Sequence, residues 1–171
     1  DGAAHVRALK AGLEARLNDI GISADTMMMH PDVRRWREVY SAMGVKPSKY
    51  RSSLEALLRR IFKGDLWEVS PVVDCYDCVS ALSLLPMGAH DMEKLRGGLT
   101  LRYAENGEKF YPLGAGDSVV ECAERHVVYA DGEKVCCWLW NYRDTRDASV
   151  DDGTKEALFL VDCAFETEWR S

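Results

Sequence analysis

Apolar residues recur along the first half of the chain with a helical period. Val6, Leu9, Leu13, Leu17 and Ile20 fall three to four apart, which predicts a helix over residues 2–20 stopped by Gly21. The stretch ISADTMMM that follows carries no clear period. Val33, Trp36, Val39 and Tyr40 predict a second helix from Asp32 to Met43, ended by Gly44. Ser52 with Glu55 three residues on is a capping-box pattern, and Leu54, Leu57, Leu58 and Ile61 form an apolar stripe that Gly64 ends. A further helix is predicted in SPVVDCYDCVSALSLLPMG, where Val72, Cys75, Val79 and Leu82 share a spacing and Pro86 closes the segment.

Beyond Gly98 the pattern changes. LTLRYA, HVVYA, KVCCWLW and EALFLVDCAF are short runs rich in β-branched, aromatic or aliphatic residues, separated by ENGE, GAGD and ADGE turns. Helices first and a mostly antiparallel sheet afterwards predict an α+β fold. The length of 171 residues suits a single domain over residues 1–171, with residues 1–29 as an N-terminal helix and connector.

A hydrophobic share of 47% with 29% charged residues permits both a core and a solvated surface. No apolar run approaches the roughly 20 residues of a membrane span. The N-terminus lacks an initiator Met and shows no basic-then-apolar leader pattern, so the expectation is a trimmed or processed, soluble, cytoplasmic protein without a membrane partner. The net charge of −6 argues against a protein that coats nucleic acid broadly, yet leaves room for a local basic patch.

Three groups of residues raise chemical possibilities. The stretch DCYDC holds Cys75 and Cys78 in a C-x-x-C spacing suited to zinc or thiol chemistry. A structural zinc site needs a second pair, and Cys136 and Cys137 are adjacent rather than spaced. The two flanking aspartates would raise a thiolate's pKa, so a packing role for these cysteines is the simpler reading and no metal or cofactor is expected. Lys46, Lys49, Arg51, Arg59, Arg60 and Lys63 concentrate positive charge between positions 46 and 63. Such a run is usually a solvated helix face and alternatively a phosphate-binding patch. Lastly, His90 and Asp91 follow the fourth helix, and Asn141, Arg143, Asp144, Arg146 and Asp147 follow an apolar strand, where sites tend to lie. The sequence contains no nucleophile elbow, P-loop or dinucleotide fingerprint.

The order of short motifs goes further. Trp36-Arg37, Tyr40, Gly44, Lys46-Pro47, Arg51, Ser53, Glu55-Ala56-Leu57 and Arg59-Arg60 come first. Val73-Asp74, Tyr76, Val79-Ser80, Pro86, Gly88 and Asp91 follow, and then Trp140-Asn141-Tyr142-Arg143-Asp144. Over about residues 30 to 165 this series resembles the B3/4-type editing domain of the phenylalanyl-tRNA synthetase β subunit, and more closely the free-standing relatives of that domain. There the motifs read W-R-x-x-Y-x-x-x-G-x-K-P, then V-D-x-Y-N-x-V-S, P-x-G-x-x-D and W-N-W-R-D. The resemblance implies that DCYDC is a helix segment whose cysteines are incidental to metal chemistry.

It also implies a trans-editing hydrolase that removes a wrong amino acid from an aminoacyl-tRNA, without a cofactor. The competing expectation is a binding module that keeps the fold without hydrolysis. Asp77 and Asp91 are catalytic candidates on this resemblance, and His90 is one by its proximity to the motif alone. Asp77 and Asp91 would hold the substrate's ammonium or a cationic side chain, and His90 would orient water, since imidazole is the side chain that titrates near neutral pH. Ser80, Asn141, Arg143 and Asp144 would bind substrate, with Asn141 and Arg143 on carbonyl or ribose oxygens. Lys49, Arg51, Arg59 and Arg60 would meet tRNA phosphates. Two departures stand out. The family's Asn falls on Asp77, which suggests a cationic substrate such as canavanine, because a buried carboxylate needs a partner. The synthetase His falls on Gly88, and His90 stands two residues further on. The family's acidic residue after the sheet could be Asp144 or Asp147. The oligomeric state is left open.

Overall fold

Ser52 caps the helix the sequence marks most clearly. In the computed structural model, which describes residues 2–164, its hydroxyl accepts a hydrogen bond from the Glu55 N–H. The helix runs Ser53–Lys63 and ends on Gly64, whose φ of 69° lies in the left-handed region that glycine adopts without a Cβ clash. Leu54, Leu57, Leu58 and Ile61 are all buried, as the stripe predicts. Numbered in chain order, the helices are α1 (Gly2–Ala11), α2 (Leu13–Asp19), α3 (Pro31–Ala42), α4 (Ser53–Lys63) and α5 (Pro71–Ser83). The helix predicted over residues 2–20 is therefore two helices. Gly12 breaks it with φ −93° and ψ 0°, consistent with glycine's poor helix propensity. The unpatterned stretch that follows folds into a Ser23/Thr26 hydroxyl turn and a 3-10 turn at Met27–Met29, with Met27 buried.

The strands are β1 (Met87–Asp91), β2 (Thr100–Tyr103), β3 (Lys109–Phe110), β4 (Val120–Glu121), β5 (Val127–Ala130), β6 (Val135–Trp138), β7 (Arg143–Asp144) and β8 (Ala157–Val161). Helices precede antiparallel sheets, so the fold is α+β. The chain divides into two compact units. The helical unit comprises Asp1–Val39, Arg51–Met87 and Val161–Ser171, and the strand unit comprises Tyr40–Tyr50 and Gly88–Leu160.

The helical unit closes around Leu13, Leu17, Ile22, Val33, Leu54, Leu58 and Cys78. Here α5 departs from expectation. Most of its predicted stripe points outward: Val72 is 48% exposed, Val79 is 45% exposed and Cys75 is also exposed, while Leu82 alone of the four packs against the core. The buried face is Asp74, Cys78 and Ala81, with Ser80 beside it. The reason is electrostatic and steric. Lys10 of α1 donates to the Asp74 carboxylate at 2.8 Å, and the Val69 N–H donates to the same oxygen at 3.2 Å. A polar residue thus holds a buried position because its charge is met, while the small Cys78 and Ala81 let neighbouring helices approach. α5 ends three residues before Pro86, where Leu84 takes a left-handed conformation (φ 58°) and Ser80 Oγ donates to the Leu85 carbonyl at 2.7 Å.

The strand unit contains a four-stranded antiparallel sheet in the order β2-β5-β6-β7 and the short pairs β1-β8 and β3-β4. Val128 lies opposite Trp138, and Trp138 opposite Arg143. Asp131 closes the ADGE turn between β5 and β6 by accepting from the Glu133 and Lys134 N–H groups. The strand predicted over residues 134–140 stops at Trp138, because Leu139 (φ 53°) and Trp140 (φ 65°) both turn left-handed. Each such non-glycine residue costs roughly 1–2 kcal/mol. The turn is held by Trp140 N–H to the Val127 carbonyl at 2.7 Å and by the complete burial of Leu139. It aims Asn141, Arg143 and Asp144. The run predicted as a strand over 156–165 ends at Val161, and Phe165 lies outside the described residues.

Candidate functional site

In the helical unit, the first turn of α5 places Asp74 on Lys10 and leaves Asp77 one turn further along the same helix. Asp77 is half-buried. Burial pushes its carboxyl up to about 6, against the opposing pull of the Arg60 guanidinium. Arg60 itself stacks on Trp67, its guanidinium carbon 4.4 Å from the ring centre. Cys78, on the buried face, has its thiol pushed up to about 11 by burial and then by Asp77. A thiol so raised forms little thiolate at neutral pH, so Cys78 is poorly suited to act as a nucleophile. Among the described residues no three His, Cys, Asp or Glu side chains form a group able to hold a metal ion, and no helix is long and apolar enough to cross a membrane.

A second cluster in this unit surrounds Glu55, which is 1% exposed. Arg37 Nη1 donates to both carboxylate oxygens at 3.0 Å. Arg59 Nε donates to Oε1 at 3.0 Å, and Arg51 Nε lies 3.5 Å from the same atom. Of the basic residues singled out from the sequence, Arg51 and Arg59 come together here. Arg60 lies instead on Trp67 and beside Asp77, and Lys49 belongs to the strand unit, 5.1 Å above the Tyr50 ring. Arg37 and Glu55 were not among the candidates. The R-x-x-x-E-x-x-x-R spacing of Arg51, Glu55 and Arg59, one helical turn on either side of the acid, is the local signal for them.

In the strand unit, β1 carries His90 and Asp91, which are 1% and 3% exposed. His90 pairs through its backbone with Ser149, and its Nδ1 has no hydrogen-bond partner among the described residues. Asp91 is fully engaged. One oxygen accepts from the Glu93 N–H at 2.9 Å and the other from the Thr154 hydroxyl at 2.7 Å, with Lys94 at 3.5 Å. The Thr154 hydrogen bond leads in lowering its pKa. Asp91 thus builds the loop that follows His90. Burial raises the Asp144 carboxyl, opposed by the charge of His90, a hydrogen bond from the Cys137 thiol and Arg143. Asp147 is on the surface beside Arg146 at 3.3 Å.

Asn141 is 9% exposed, and its Oδ1 accepts from the Tyr40 hydroxyl at 3.1 Å. Arg143 is exposed and donates to the Leu113 carbonyl at 3.2 Å. Tyr50, Trp138 and Tyr142 meet edge to face, with centroids 5.3 to 5.7 Å apart. His126 backs this group. Its Nδ1 accepts from the Trp138 indole N–H and from the Ala123 N–H, and burial, with Arg125 nearby, lowers its pKa. Two donors on Nδ1 fix His126 as the neutral Nε2–H tautomer, a structural histidine.

The family model described as the B3/4 domain matches residues 35–168. The chain belongs to the B3/4 domain family. The match takes in α4, α5 and every strand among the described residues. This B3/4 domain is similar to part of the phenylalanine–tRNA ligase beta subunit of Chromobacterium violaceum, 34% identical over 76 residues, covering 44% of this chain and 9% of that subunit. It is also similar to the phenylalanine–tRNA ligase beta subunit of Fusobacterium nucleatum, 29% identical over 122 residues, covering 71% of this chain and 15% of that subunit. The chain thus spans a small fraction of these relatives.

Proposed function

We propose that this B3/4 domain is a trans-editing hydrolase. It removes a wrong amino acid from aminoacyl-tRNA, and its preferred amino acid is cationic or guanidino-like, canavanine being the type. The reaction class is supported by membership of a family whose curated relatives are tRNA ligase subunits. The observation that carries the specificity is Asp77, a half-buried carboxyl that burial pushes up to about 6. A cationic side chain would meet that carboxyl with a charge-assisted hydrogen bond, whereas a tyrosine or phenylalanine side chain would not.

Chemically, water adds to the ester carbonyl carbon, and the tetrahedral intermediate expels the ribose oxygen. The water's proton passes to that oxygen, directly or through the neighbouring ribose hydroxyl, giving the free amino acid and the tRNA 3′ hydroxyl. An amino-acid ester is activated, so orientation and oxyanion stabilisation supply much of the acceleration without a covalent nucleophile. Within the strand unit, His90 and Asp144 are the pair assigned to hold and deprotonate the water. The buried Nδ1 of His90 requires a hydrogen-bond partner, and leaving such an atom unmet costs about 1–3 kcal/mol. Asn141 is assigned to the carbonyl oxygen and Arg143 to the ribose, while Asp91 positions His90.

A second reading has an observation of its own. His90 is 1% exposed and the Asp91 carboxylate is already occupied, which suits a binding module that recognises an aminoacyl end without hydrolysing it. Steady-state deacylation by wild type and His90→Ala separates the two. The hydrolase reading expects kcat to fall about 100-fold in the variant with KM little changed. An unchanged kcat would remove His90 from the reaction.

A further inference from the structure

A cavity of about 330 Å³ opens within the helical unit, at the lower end of the range for small-molecule sites. Arg7 and Lys10 of α1 and Glu14 of α2 line one wall. Ile61 in the last turn of α4, with Leu66 and Glu68 of the connector to α5, lines the other. Positions 7, 10 and 14 are three and four apart, so a single helical face turns toward the cavity across the break at Gly12. The floor is apolar, since Ile61 is buried and Leu66 packs against the core. Arg7, Glu14 and Glu68 are exposed and form the rim.

The charges around this cavity are unequal in their commitments. Lys10 donates to the Asp74 carboxylate at 2.8 Å and to the Trp67 carbonyl. Among the described residues Arg7, Glu14 and Glu68 make no ion pair and no side-chain hydrogen bond. Both signs of charge thus face one concavity without meeting across it. Arg7 and Glu14 are seven residues apart, which puts roughly 10 Å between their backbones. A ligand with a carboxylate at one end, an ammonium at the other and methylenes between them matches this arrangement. Its carboxylate takes the Arg7 fork, its ammonium takes Glu14 and Glu68, and its methylenes cover Ile61 and Leu66. The wall formed by α1 and α2 lies outside residues 35–168, which the B3/4 model matches.

We propose that this cavity binds a small ω-amino carboxylate, a zwitterion whose two charges are separated by a short aliphatic chain. Arg7 recognises the anion, and Glu14 with Glu68 recognises the cation. The site is separate from the residues assigned to hydrolysis, and the proposal does not rest on that reading. Lys10 lines the cavity and also anchors the first turn of α5 through Asp74, so the ligand stabilises the helical unit when it binds.

Isothermal titration of the whole chain with 5-aminopentanoate at pH 7.5 tests this. Pentanoate and pentylamine serve as single-charge controls, and leucine as a zwitterion with both charges on one carbon. A dissociation constant of about 1 mM is expected for a ligand of this size. Each single-charge control is expected to bind about tenfold more weakly, and leucine more weakly than 5-aminopentanoate. Arg7→Gln, and Glu14→Gln combined with Glu68→Gln, are each expected to weaken 5-aminopentanoate about tenfold. These side chains are exposed and unpaired among the described residues, so the variants keep the fold, which thermal melting without ligand checks. Asp77→Asn is expected to bind as wild type does. The absence of binding up to about 20 mM would overturn the proposal. Pentanoate binding as tightly as 5-aminopentanoate would mark a simple anion site, and tighter binding of leucine would mark an α-amino acid site; either overturns it. So would affinity lost in Asp77→Asn and kept in Arg7→Gln, which places the ligand at the specificity residue instead. Binding is read on the chain without tRNA, so a chain that binds 5-aminopentanoate through Arg7 yet never deacylates tRNA sinks the hydrolase reading and leaves this one standing.

Discussion

Lys10→Met destabilises the protein by about 3 kcal/mol, because it strands the buried Asp74 carboxylate. The Lys10 and Asp74 side chains are 9% and 6% exposed and meet at 2.8 Å. Water cannot readily replace the lost ammonium, and the Val69 N–H supplies only one further hydrogen bond. Replacing both charges, as Lys10→Met with Asp74→Leu, recovers most of the loss, since a matched apolar pair needs no compensation. Urea denaturation of the two variants measures this directly. A loss below about 1 kcal/mol for Lys10→Met would mean that Asp74 is met by solvent. The functional consequence follows from position. Asp74 anchors the first turn of α5, and Asp77 stands one turn further on, so loosening that anchor disturbs the residue assigned to specificity.

Asp77→Asn is expected to lower kcat/KM for a cationic aminoacyl-tRNA by about 30-fold and to leave aromatic substrates nearly unaffected. Its pH behaviour has a defined sign. In the folded protein Asp77 titrates at about 6, above its ordinary value of 3.8. Between those values the native state holds more protons than the unfolded state, so this group makes stability fall as pH rises from about 4 to about 6. Above that window the destabilisation is complete. Asp77→Asn removes it, so the variant melts higher than wild type at pH 7.5 and has a flatter profile below pH 6. Discrimination runs the other way. Wild type prefers the cationic substrate increasingly as Asp77 ionises through about pH 6, and then reaches a plateau. The variant shows no such rise. A variant with wild-type discrimination and pH profile would remove Asp77 from substrate recognition.

What could be read from the sequence was what local spacing decides. Ser52, the Leu54–Ile61 stripe and Gly64 all lie within one helix, and all three signals agree with α4. β2, β5, β6 and β8 lie close to where the short apolar runs and turn residues place them, whereas β1, which carries His90 and Asp91, and the two-residue β3, β4 and β7 have no such run. The errors arise where a distant partner decides. The outer face of α5 carries Val72 and Val79 because Asp74 finds Lys10 64 residues away, a pairing no periodicity reveals. The strand ending at Trp138 stops early because the Val127 carbonyl captures Trp140 N–H in a left-handed turn, which Leu and Trp rarely adopt.

The site shows the same division. The Arg51–Glu55–Arg59 spacing is visible along one helix, whereas Arg37 joins from 18 residues away. Asp91 looked equivalent to Asp77 as a free carboxylate, yet Thr154, 63 residues distant, engages it. The burial that raises Asp77 and Asp144 is a property of the folded chain and not of the residues near them in sequence.

The most direct test of the proposed activity is release of free amino acid from tRNA at pH 7.5. It uses tRNAs charged in parallel with canavanine, arginine, lysine, tyrosine and phenylalanine. The account predicts that wild type accelerates release well above the spontaneous rate, and fastest for the cationic or guanidino-like residues. Spontaneous rates throughout, with tight binding of one aminoacyl-tRNA, would contradict it and make this B3/4 domain a recognition module.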